Sequence, residues 1–513
     1  MLSPVYRPKL PKLCLILSAA LLALASTRLT ASPTASSSQD RPDVLMIAID
    51  DLNDWIGPLG GHPMVQTPHM DRLAARGVTF TNAHCQSPIC NPSRTSLMMG
   101  LRPSTTGIYA IQPWFRTVPD YADWVTLPQY FMQHGYNVVA TGKVYHDAYP
   151  PKESRIDGAE FSVWGLHGKF NWPRERIATP FTRVPLVDWG AWPERDEDVF
   201  DYDVVTWAVD YLEEAPEDKP LFLNVGIRHP HLPLFAPQKW FDLYPESADV
   251  LPPVLEGDRD DVPPFAWYLH WKLAEPRLEW VKAHDEWMIK VRAYLASVSF
   301  ADAMVGRVLD ALEASGRADN TIIVLYSDHG YHLGEKAITG KNTLWERSAR
   351  VPLIISGPGF AAGEICQRPV ELLDLYPTLV DAAGLEPRGG LEGLSLVPLL
   401  ENPEAPRTVP AITTQGEGNH SIRSERYRYI RYGDGSEELY DMAQDPNEWD
   451  NLADEPEYAA VLAQHRQWLP KTNAEPVPGS KTRLLEKRDD GWYWQLEKIE
   501  GPVLMGDPSL IRR

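Results

Sequence analysis

The stretch "DVLMIAIDDLND", Asp43–Asp54, contains an apolar run from Val44 to Ile49 that ends abruptly at Asp50 and Asp51. A continuous apolar run of this length is typical of a strand that is covered on both faces, as in a parallel sheet. We therefore predict a buried strand that delivers two adjacent carboxylates at its carboxyl end.

Three further runs have the same form, in that a short apolar strand ends in polar side chains. They are a strand near Tyr136 to Thr141 before Lys143 and His146, a strand from Leu221 to Val225 before Arg228, His229 and His231, and a strand from Thr321 to Tyr326 before Asp328 and His329. Helical patterns that close on glycine lie between the strands, and this alternation predicts a doubly wound α/β sheet. Because sites in such sheets form at the carboxyl ends of the strands, the four strand ends together predict a site at that edge.

The stretch "CQSPICNPSRTSLMMG", Cys85–Gly100, fits the same edge. Pro92 suits the first turn of a helix and Gly100 can end it, so Cys90 is predicted at the helix N-terminus. Free N–H groups and the helix dipole favour an anion there. A disulfide between Cys85 and Cys90 is the alternative that the residues leave open at this point.

The composition is that of a globular protein with a large core, since 43% of the 513 residues are apolar and 23% are charged. A formal net charge of −21 argues against nucleic acid and anionic membranes as partners. Whether an anionic substrate is accepted depends on the local charges.

Beyond the N-terminal segment only Cys85, Cys90 and Cys366 remain, which is too few for a disulfide framework.

The N-terminal segment carries three basic residues followed by an apolar run from Leu13 to Ala25. This pattern predicts a secretory signal peptide over 1–25 and a flexible linker over 26–40, because the run is too short for a membrane span. We therefore expect an exported protein, periplasmic or secreted, with no stable membrane span.

Cys90-Asn91-Pro92-Ser93-Arg94 matches the C-x-P-S-R signature of the sulfatase family, and the resemblance extends across most of the chain beyond the signal peptide. It includes the stretches "IDDLND", "GKVYH", "HPHLPLFAPQKW" and "SDHGYHLGEKAITGKNTLWE". The chain resembles the iduronate-2-sulfatase branch most, although that branch often has "HKPH" where this chain has "RHPH". The resemblance implies a sulfuric ester hydrolase with an alkaline-phosphatase-like α/β fold, in which helices flank a large mixed or parallel sheet.

The resemblance also implies a nucleophile and a metal site. Cys90 would be oxidised to Cα-formylglycine, and the hydrate of this aldehyde would attack the sulfate ester. One divalent cation, usually Ca²⁺, would be held by the oxygen at position 90 together with Asp50, Asp51, Asp328 and His329. Carboxylates are ligands that suit a hard cation of this kind.

Five further site residues receive roles from the same resemblance. Arg94 would secure the modified side chain, and His146 would help the hydrate to return to the aldehyde. Lys143 and Lys341 would bind sulfate oxygens, and His231 would protonate the leaving alcohol. The cationic side chains and the metal would converge on one pocket, and distant surface charge is screened within about 8–10 Å. The net negative charge is therefore no obstacle to an anionic substrate.

The expected partners follow from this assignment. The substrate would be a sulfated polysaccharide or a glycosaminoglycan-type oligosaccharide. Oxidation of Cys90 would require a formylglycine-generating enzyme or an anaerobic sulfatase-maturating enzyme.

A catalytic α/β domain is predicted over 41–400, and a C-terminal α+β subdomain with its tail over 401–513. The stretch "HSIRSERYRYIRYGDGSEELYDM" alternates and turns at its Gly-Asp-Gly, which predicts an antiparallel sheet. His420 and Arg423 are predicted to contact the substrate beyond the sulfate; the alternative is that Arg423 pairs with Glu425 or Glu417. The last forty residues are expected to be loosely structured.

Three other functions remain as alternatives to a sulfatase. A phosphodiesterase or phosphonate monoester hydrolase of the same superfamily can share the C-x-P-x-R nucleophile. A two-zinc alkaline-phosphatase site is disfavoured, because no further His/Asp set is evident and a Ser or Thr nucleophile would be expected. An inactive carbohydrate-binding homologue is disfavoured by the intact site residues.

Overall fold

The computed structural model describes residues 41–147, 149–178 and 184–500. The predicted signal peptide and linker lie outside the described residues. Among the described helices, none has the length and apolar character that a bilayer crossing requires.

The strands of the described residues are numbered in chain order. They are β1 Asp43–Ile49, β2 Val78–Phe80, β3 Ala83–His84, β4 Asn137–Gly142, β5 Val163–Trp164, β6 Trp189–Ala191, β7 Leu221–Ile227, β8 Leu234–Ala236, β9 Thr321–Ser327, β10 His332–Leu333, β11 Thr339–Gly340, β12 Leu353–Ser356, β13 Glu364–Cys366, β14 Val370–Glu371, β15 Ala411–Thr414, β16 His420–Arg423, β17 Tyr427–Arg431, β18 Glu437–Asp441, β19 Leu485–Arg488, β20 Gly491–Trp494 and β21 Glu497–Lys498.

The α-helices of the same residues are numbered likewise. They are α1 Pro68–Ala74, α2 Cys90–Met99, α3 Pro103–Thr106, α4 Leu127–Gln133, α5 Phe200–Glu214, α6 Gln238–Phe241, α7 Leu278–Ala283, α8 Trp287–Ala314, α9 Glu346–Ala349, α10 Leu375–Ala382, α11 Val397–Glu401 and α12 Ala459–Arg466.

A mixed eight-stranded sheet forms the centre of the fold, in the order β13-β2-β12-β9-β1-β7-β4-β5. Strands β5, β4, β7, β1 and β9 run parallel to one another, whereas β12 is antiparallel to both β9 and β2. This arrangement confirms the predicted alkaline-phosphatase-like sheet with its four buried parallel strands.

Apolar side chains of β1 alternate between the two faces of the sheet, as the two-residue period of a strand requires. Leu45, Ile47 and Ile49 pack into a core with α5 and α8, while the intervening side chains pack on the other face with α2 and α10. Helices therefore cover both faces, which explains why the run is apolar without interruption.

The strand register brings the four predicted strand ends to one edge. Ile49 of β1 lies level with Ile227 of β7 and Ser327 of β9, and Gly142 of β4 lies level with Gly226 of β7. The polar residues that follow each strand therefore emerge side by side.

The C-terminal region contains the predicted antiparallel sheet, β15-β16-β17-β18, and a second antiparallel sheet of β19, β20 and β21.

The expectation of a loose tail was wrong for the described part of the last forty residues. The backbone N–H of Ala474 donates to Ser104 at 2.8 Å, and that of Val477 donates to Gly107 at 3.1 Å. The first described residues of the tail thus lie along the segment that follows α2. The predicted domain bounds stay a prediction.

Candidate active site

Cys90 is the first residue of α2, which ends before Gly100 in the left-handed conformation. Its side chain is buried and unbridged, as are Cys85 and Cys366, so the alternative Cys85–Cys90 disulfide is absent. The Sγ atom of Cys90 lies 3.1 Å from Lys341 Nζ, 3.2 Å from His329 Nε2 and 3.8 Å from Lys143 Nζ. The cysteine at the predicted position is therefore surrounded by cationic and imidazole groups.

Three carboxylates also lie around Cys90, and Arg94 organises two of them. Arg94 is buried one turn into α2, where its Nε donates to Asp328 at 2.7 Å and its Nη2 donates to Asp50 at 3.1 Å. Its Nη1 donates to the carbonyls of Lys143 and Val144, which follow β4. One guanidinium thus links α2 with the ends of β1, β9 and β4.

Two lysines reach the cluster from different elements. Lys143 forms an ion pair with Asp50, and Lys341, after β11, forms one with Asp51 at 2.5 Å. Lys143 follows Gly142 of β4 and lies against Gly226 of β7. A Cβ on Gly226 would meet the Lys143 backbone at 2.2 Å, and Gly142 has φ +72°, a conformation that favours glycine. The glycines at these strand ends are therefore required by the position of Lys143.

The histidines of the site have distinct environments. His329 lies within 3.4 Å of Asp51 Oδ1, and His231 Nε2 lies 3.9 Å from Asp51 Oδ2. Burial lowers the pKa of His146, although the neighbouring Cys90 acts in the opposite direction. His229 points elsewhere and pairs with Asp201 at 2.6 Å.

Burial and mutual charge shift the pKa values of the cluster. Burial opposes the ionised form of Cys90, but Lys143, Lys341 and His329 together hold its pKa well below the usual value. Lys143 likewise overcomes burial and lowers the pKa of Asp50. Burial dominates at Asp328, where it raises the pKa to about 6 against the effect of Arg94. A site of this kind stabilises negative charge at position 90.

The donor set fits a hard divalent cation. Oxygen, nitrogen and sulfur atoms of two overlapping groups lie within 4.8 Å of one another: Asp50, Cys90, Asp328 and His329, and Asp50, Asp51, Cys90 and His231. Asp51 Oδ2 is buried without a hydrogen-bond partner among the described residues. An orphaned carboxylate oxygen beside two further carboxylates is what a bound cation would satisfy. The second group includes His231, which was not predicted as a ligand.

The two residues predicted from the C-terminal hairpin contact other partners. His420 lies 3.0 Å from Thr414 Oγ1 and 2.7 Å from Asn473 Oδ1. Arg423 donates to the carbonyls of Ser424 and Glu425, and its Nε lies 3.6 Å from Glu346. Neither contact set includes a residue of the Cys90 pocket, so their assignment to the substrate stays a prediction.

Sequence reasoning missed four residues at the edge of the pocket. They are Asp147, which pairs with Arg228, and Arg483 with its two hydrogen-bond acceptors Asn342 and Glu275, beside Lys341. Asp147 directly follows His146 in the predicted strand-end motif and was therefore within reach. Glu275 and Arg483 belong to segments without a recognisable pattern.

Comparison with known proteins assigns the chain to a family. The family model "Sulfatase" matches residues 42–385, and the model "N-sulphoglucosamine sulphohydrolase, C-terminal" matches residues 334–475. A sulfatase of Formosa agariphila is 42% identical over 85% of this chain and 87% of its own length. The iduronate 2-sulfatase of Homo sapiens is 32% identical over 72% of this chain and 73% of its own length.

A likeness at the level of the fold extends beyond sulfatases. The structure of a phosphonate monoester hydrolase of Agrobacterium radiobacter superposes with a TM-score of 0.66 at 22% identity, covering 88% of this chain and 99% of that one. The family models and the relatives above 30% identity decide between the two activities. The chain belongs to the sulfatase family and is a sulfuric ester hydrolase.

Proposed function

We propose that this sulfatase removes sulfate from a uronate-containing sulfated glycan, of polysaccharide or glycosaminoglycan type, with a formylglycine made from Cys90 and one Ca²⁺ ion. The observation that supports this most is the setting of Cys90. A buried, unbridged cysteine at a helix N-terminus has two lysines, a histidine and three carboxylates around it. The identity to iduronate 2-sulfatase supports the uronate.

Asp50, Asp51, Asp328 and His329 would hold the cation, and Arg94 would hold the modified side chain through the same carboxylates. The formylglycine hydrate would supply a nucleophilic hydroxyl, and the cation would lower the cost of its ionisation and of charge on the sulfate. Arg94 keeps two of the carboxylates fixed, so little reorganisation is needed when charge develops.

Lys143 and Lys341 would bind the sulfate oxygens from two sides. Their Nζ atoms lie 3.8 and 3.1 Å from Cys90 Sγ, and both side chains are almost completely buried. Each lysine is held by an aspartate in this structure, so the ammonium groups are fixed before a substrate arrives. Pre-positioned cations of this kind stabilise the charge of the transferring group.

His231 would protonate the leaving alcohol. Its Nδ1 lies 2.6 Å from the Leu232 carbonyl, so Nδ1 carries a hydrogen and Nε2 is the atom that can exchange a proton with the substrate. Asp51 Oδ2 lies 3.9 Å from Nε2. His146, whose lowered pKa keeps it neutral at pH 7, would accept a proton from the side chain at position 90.

A purified, matured sample tests the proposal with 4-nitrophenyl sulfate, 4-nitrophenyl phosphate and a phosphonate monoester. We expect the sulfate to be the best substrate, with activity lost in EDTA and restored by Ca²⁺. A higher kcat/KM for the phosphorus esters would favour the phosphonate hydrolase alternative. Binding of sulfated glycans with no turnover of any ester would favour an inactive homologue.

A panel of sulfated oligosaccharides tests the substrate class. Sulfate release from uronate-containing members, and not from neutral galactan or choline sulfate, is the expected result. Preference for a sulfated neutral glycan would overturn the uronate and leave the sulfatase assignment intact.

We further propose that the protein is exported and matured by a formylglycine-generating or anaerobic sulfatase-maturating enzyme. The basic and apolar N-terminal segment supports export. N-terminal sequencing of protein recovered from the periplasm or medium should begin near residue 26. A chain recovered with its initial residues intact would contradict this.

A further inference from the structure

The described tail follows the segment after α2 closely. Beyond the contacts of Ala474 and Val477, the N–H of Ile111 donates to Thr482 at 3.2 Å, and Gln112 and Lys481 exchange hydrogen bonds across an isolated antiparallel bridge. These contacts fix the backbone immediately before Arg483.

Thr482 and Arg483 both have φ +61°. The left-handed region is unfavourable for residues other than glycine, and especially for a β-branched residue such as Thr482. Two such residues in succession turn the chain so that the side chain of Arg483 leaves the tail toward the body.

The guanidinium of Arg483 is fixed by two buried partners. Its Nη1 donates to Asn342 Oδ1 at 2.6 Å, and its Nη2 donates to Glu275 Oε1 at 2.8 Å. Asn342 directly follows Lys341, whose Nζ lies 3.1 Å from Cys90 Sγ. Arg483 is therefore bonded to the residue next in sequence to Lys341, whose ammonium group touches the candidate nucleophile.

Arg483 retains capacity for a further ligand. Its side chain is 19% exposed whereas that of Glu275 is 3% exposed, so the solvent-facing part of the pair is the cation. Two buried atoms beside it, Asn342 Nδ2 and Glu275 Oε2, have no hydrogen-bond partner among the described residues. The guanidinium has five N–H groups, and the contacts to Asn342 and Glu275 do not exhaust them.

The field of Arg483 extends into the pocket. Burial lowers the pKa of Arg483, but Glu275 raises it above the usual value, with smaller contributions from Cys90 and Asp51. The positive charge of Arg483 in turn opposes the rise in the pKa of Lys341.

We propose that Arg483 is a specificity-determining residue that binds a second oxyanion of the substrate, a carboxylate or a further sulfate next to the scissile ester. The planar guanidinium suits a bidentate contact with either group. Its pairing with Glu275 and Asn342 orients the fork in advance, which reduces the entropy lost when the ligand binds. Asn342 Nδ2 offers a neighbouring donor to the same anion.

This inference rests on the proposed glycan sulfatase function and adds the residue that selects the substrate. A role in structure alone would leave two polar atoms buried without partners beside a cation that is partly open to solvent. Binding of an oxyanion at this point accounts for the cation and for the unpartnered amide nitrogen together.

Steady-state kinetics of Arg483→Ala and Arg483→Lys test the proposal on matched substrates. The substrates are a 2-O-sulfated uronate disaccharide, its uronate methyl ester, the same disaccharide with a second sulfate, and 4-nitrophenyl sulfate. We expect kcat/KM for the free acid to fall roughly ten- to a hundredfold more than that for the ester. Arg483→Lys should recover part of this selectivity, because it keeps the charge and loses the fork. A loss confined to the doubly sulfated substrate would identify the sulfate as the bound oxyanion.

Arg317→Ala is the matched control, because Arg317 pairs with Asp43 at 2.8 Å with a similar side-chain exposure of 16% but lies at the opposite edge of the sheet. It should leave the ratio of acid to ester unchanged. Equal losses of Arg483→Ala on acid, ester and aryl sulfate would overturn the proposal and make Arg483 structural. No cleavage of any sulfate ester by the matured wild type would instead overturn the proposed function on which the inference depends.

If Arg483→Ala does not fold, thermal shift of the wild type answers the question in another way. The free uronate disaccharide lacking the scissile sulfate should raise Tm of the wild type clearly more than that of Arg483→Lys. The same shift in both proteins would contradict the proposal.

Discussion

The pocket around Cys90 and the cluster around Arg428 both bury acidic and basic side chains, and both contain polar atoms without a hydrogen bond among the described residues. They differ in how the acidic atoms are grouped, because among the described residues only the pocket brings carboxylate, thiol and imidazole atoms within 4.8 Å of one another. In the Arg428 cluster, the guanidinium donates to Leu344, Ser421 and Glu346 and pairs with Glu448 at 2.8 Å, and it is fully buried. In the pocket, three carboxylates converge on a reactive atom and Asp51 Oδ2 has no partner among the described residues.

This grouping of ligand atoms distinguishes a functional site from a structural cluster, whereas burial does not, because the side chains of both clusters are buried. The Arg428 cluster joins β17 of the C-terminal sheet to Glu346 of α9. Its acidic and basic side chains pair with one another inside the protein. In the pocket, Arg94, Lys143 and Lys341 pair with the three carboxylates, but Asp51 Oδ2 and the side chain of Cys90 are left facing a group of metal-ligand type that a ligand can complete. Variants in the two clusters should therefore fail in different ways.

The largest effect is expected at position 90. Cys90→Ala removes the group that becomes the nucleophile, and turnover of 4-nitrophenyl sulfate should fall by about 10⁴-fold or more. The melting temperature should change by a few degrees at most, since one small side chain at a helix end contributes little packing. Mass spectrometry of the wild-type peptide provides the second measurement, because formylglycine weighs about 18 Da less than cysteine. An active enzyme with wholly unmodified Cys90 would exclude the mechanism.

The cluster around Arg428 should respond in stability instead. Arg428→Ala takes from the buried, ionised Glu346 the cation that lies closest to it, and the free energy of unfolding should fall by about 3–5 kcal/mol. The kcat/KM of the protein that remains folded should be unchanged. Urea unfolding followed by fluorescence measures the first quantity. Arg426→Ala, which removes an exposed neighbour paired with Asp441, is the control and should unfold almost like the wild type.

The residues of the Cys90 pocket could be predicted from the sequence. Asp50, Asp328 and Lys143 follow short apolar strands, so their position at one sheet edge depends only on local pattern and parallel pairing. Lys341 was reached through the family resemblance.

The contacts of Arg423 and Arg483 could not be predicted in this way. For Arg423, the alternative to substrate contact was a pair with Glu425 or Glu417, but the Glu425 carboxylate pairs with Arg368 and Arg423 approaches the distant Glu346. Arg483 bonds to partners 141 and 208 residues earlier in the chain. Contacts of that separation depend on how the C-terminal region docks, which no local pattern encodes.

A pH effect of intermediate size is expected at Glu448. Burial raises the pKa of Glu448 from 4.5 to about 7, and Arg428 offsets this only partly. The protonated form is therefore the one that the folded state favours. Its contribution to stability is complete below pH 4.5 and is lost as the pH rises through 7, at about 1.4 kcal/mol per pKa unit and so roughly 3 kcal/mol in total.

Glu448→Gln should remove this dependence, because the amide is neutral at every pH and has a similar shape. Urea unfolding of the wild type and of Glu448→Gln at pH 5 and pH 8 measures the difference. The wild type should lose more stability than the variant between these two values. Parallel changes in both proteins would show that Glu448 is already ionised at pH 5.

The smallest effect is expected at Arg423, and it sharpens the comparison with Arg483. Arg423 is 10% exposed and shares Glu346 with Arg428, whose charge repels it. Arg423→Ala removes two bonds to backbone carbonyls and also relieves that repulsion, so the two contributions partly cancel and stability should fall by about 1 kcal/mol. Because none of its contacts belongs to the Cys90 pocket, kcat/KM should change by the same small factor for an aryl sulfate and for a uronate disaccharide. A selective loss on the disaccharide would restore Arg423 as a substrate-binding residue, in accord with the expectation from the sequence. An unchanged ratio, beside a changed ratio in Arg483→Ala, would show that an irregular tail contacts the substrate while the regular hairpin secures the C-terminal sheet.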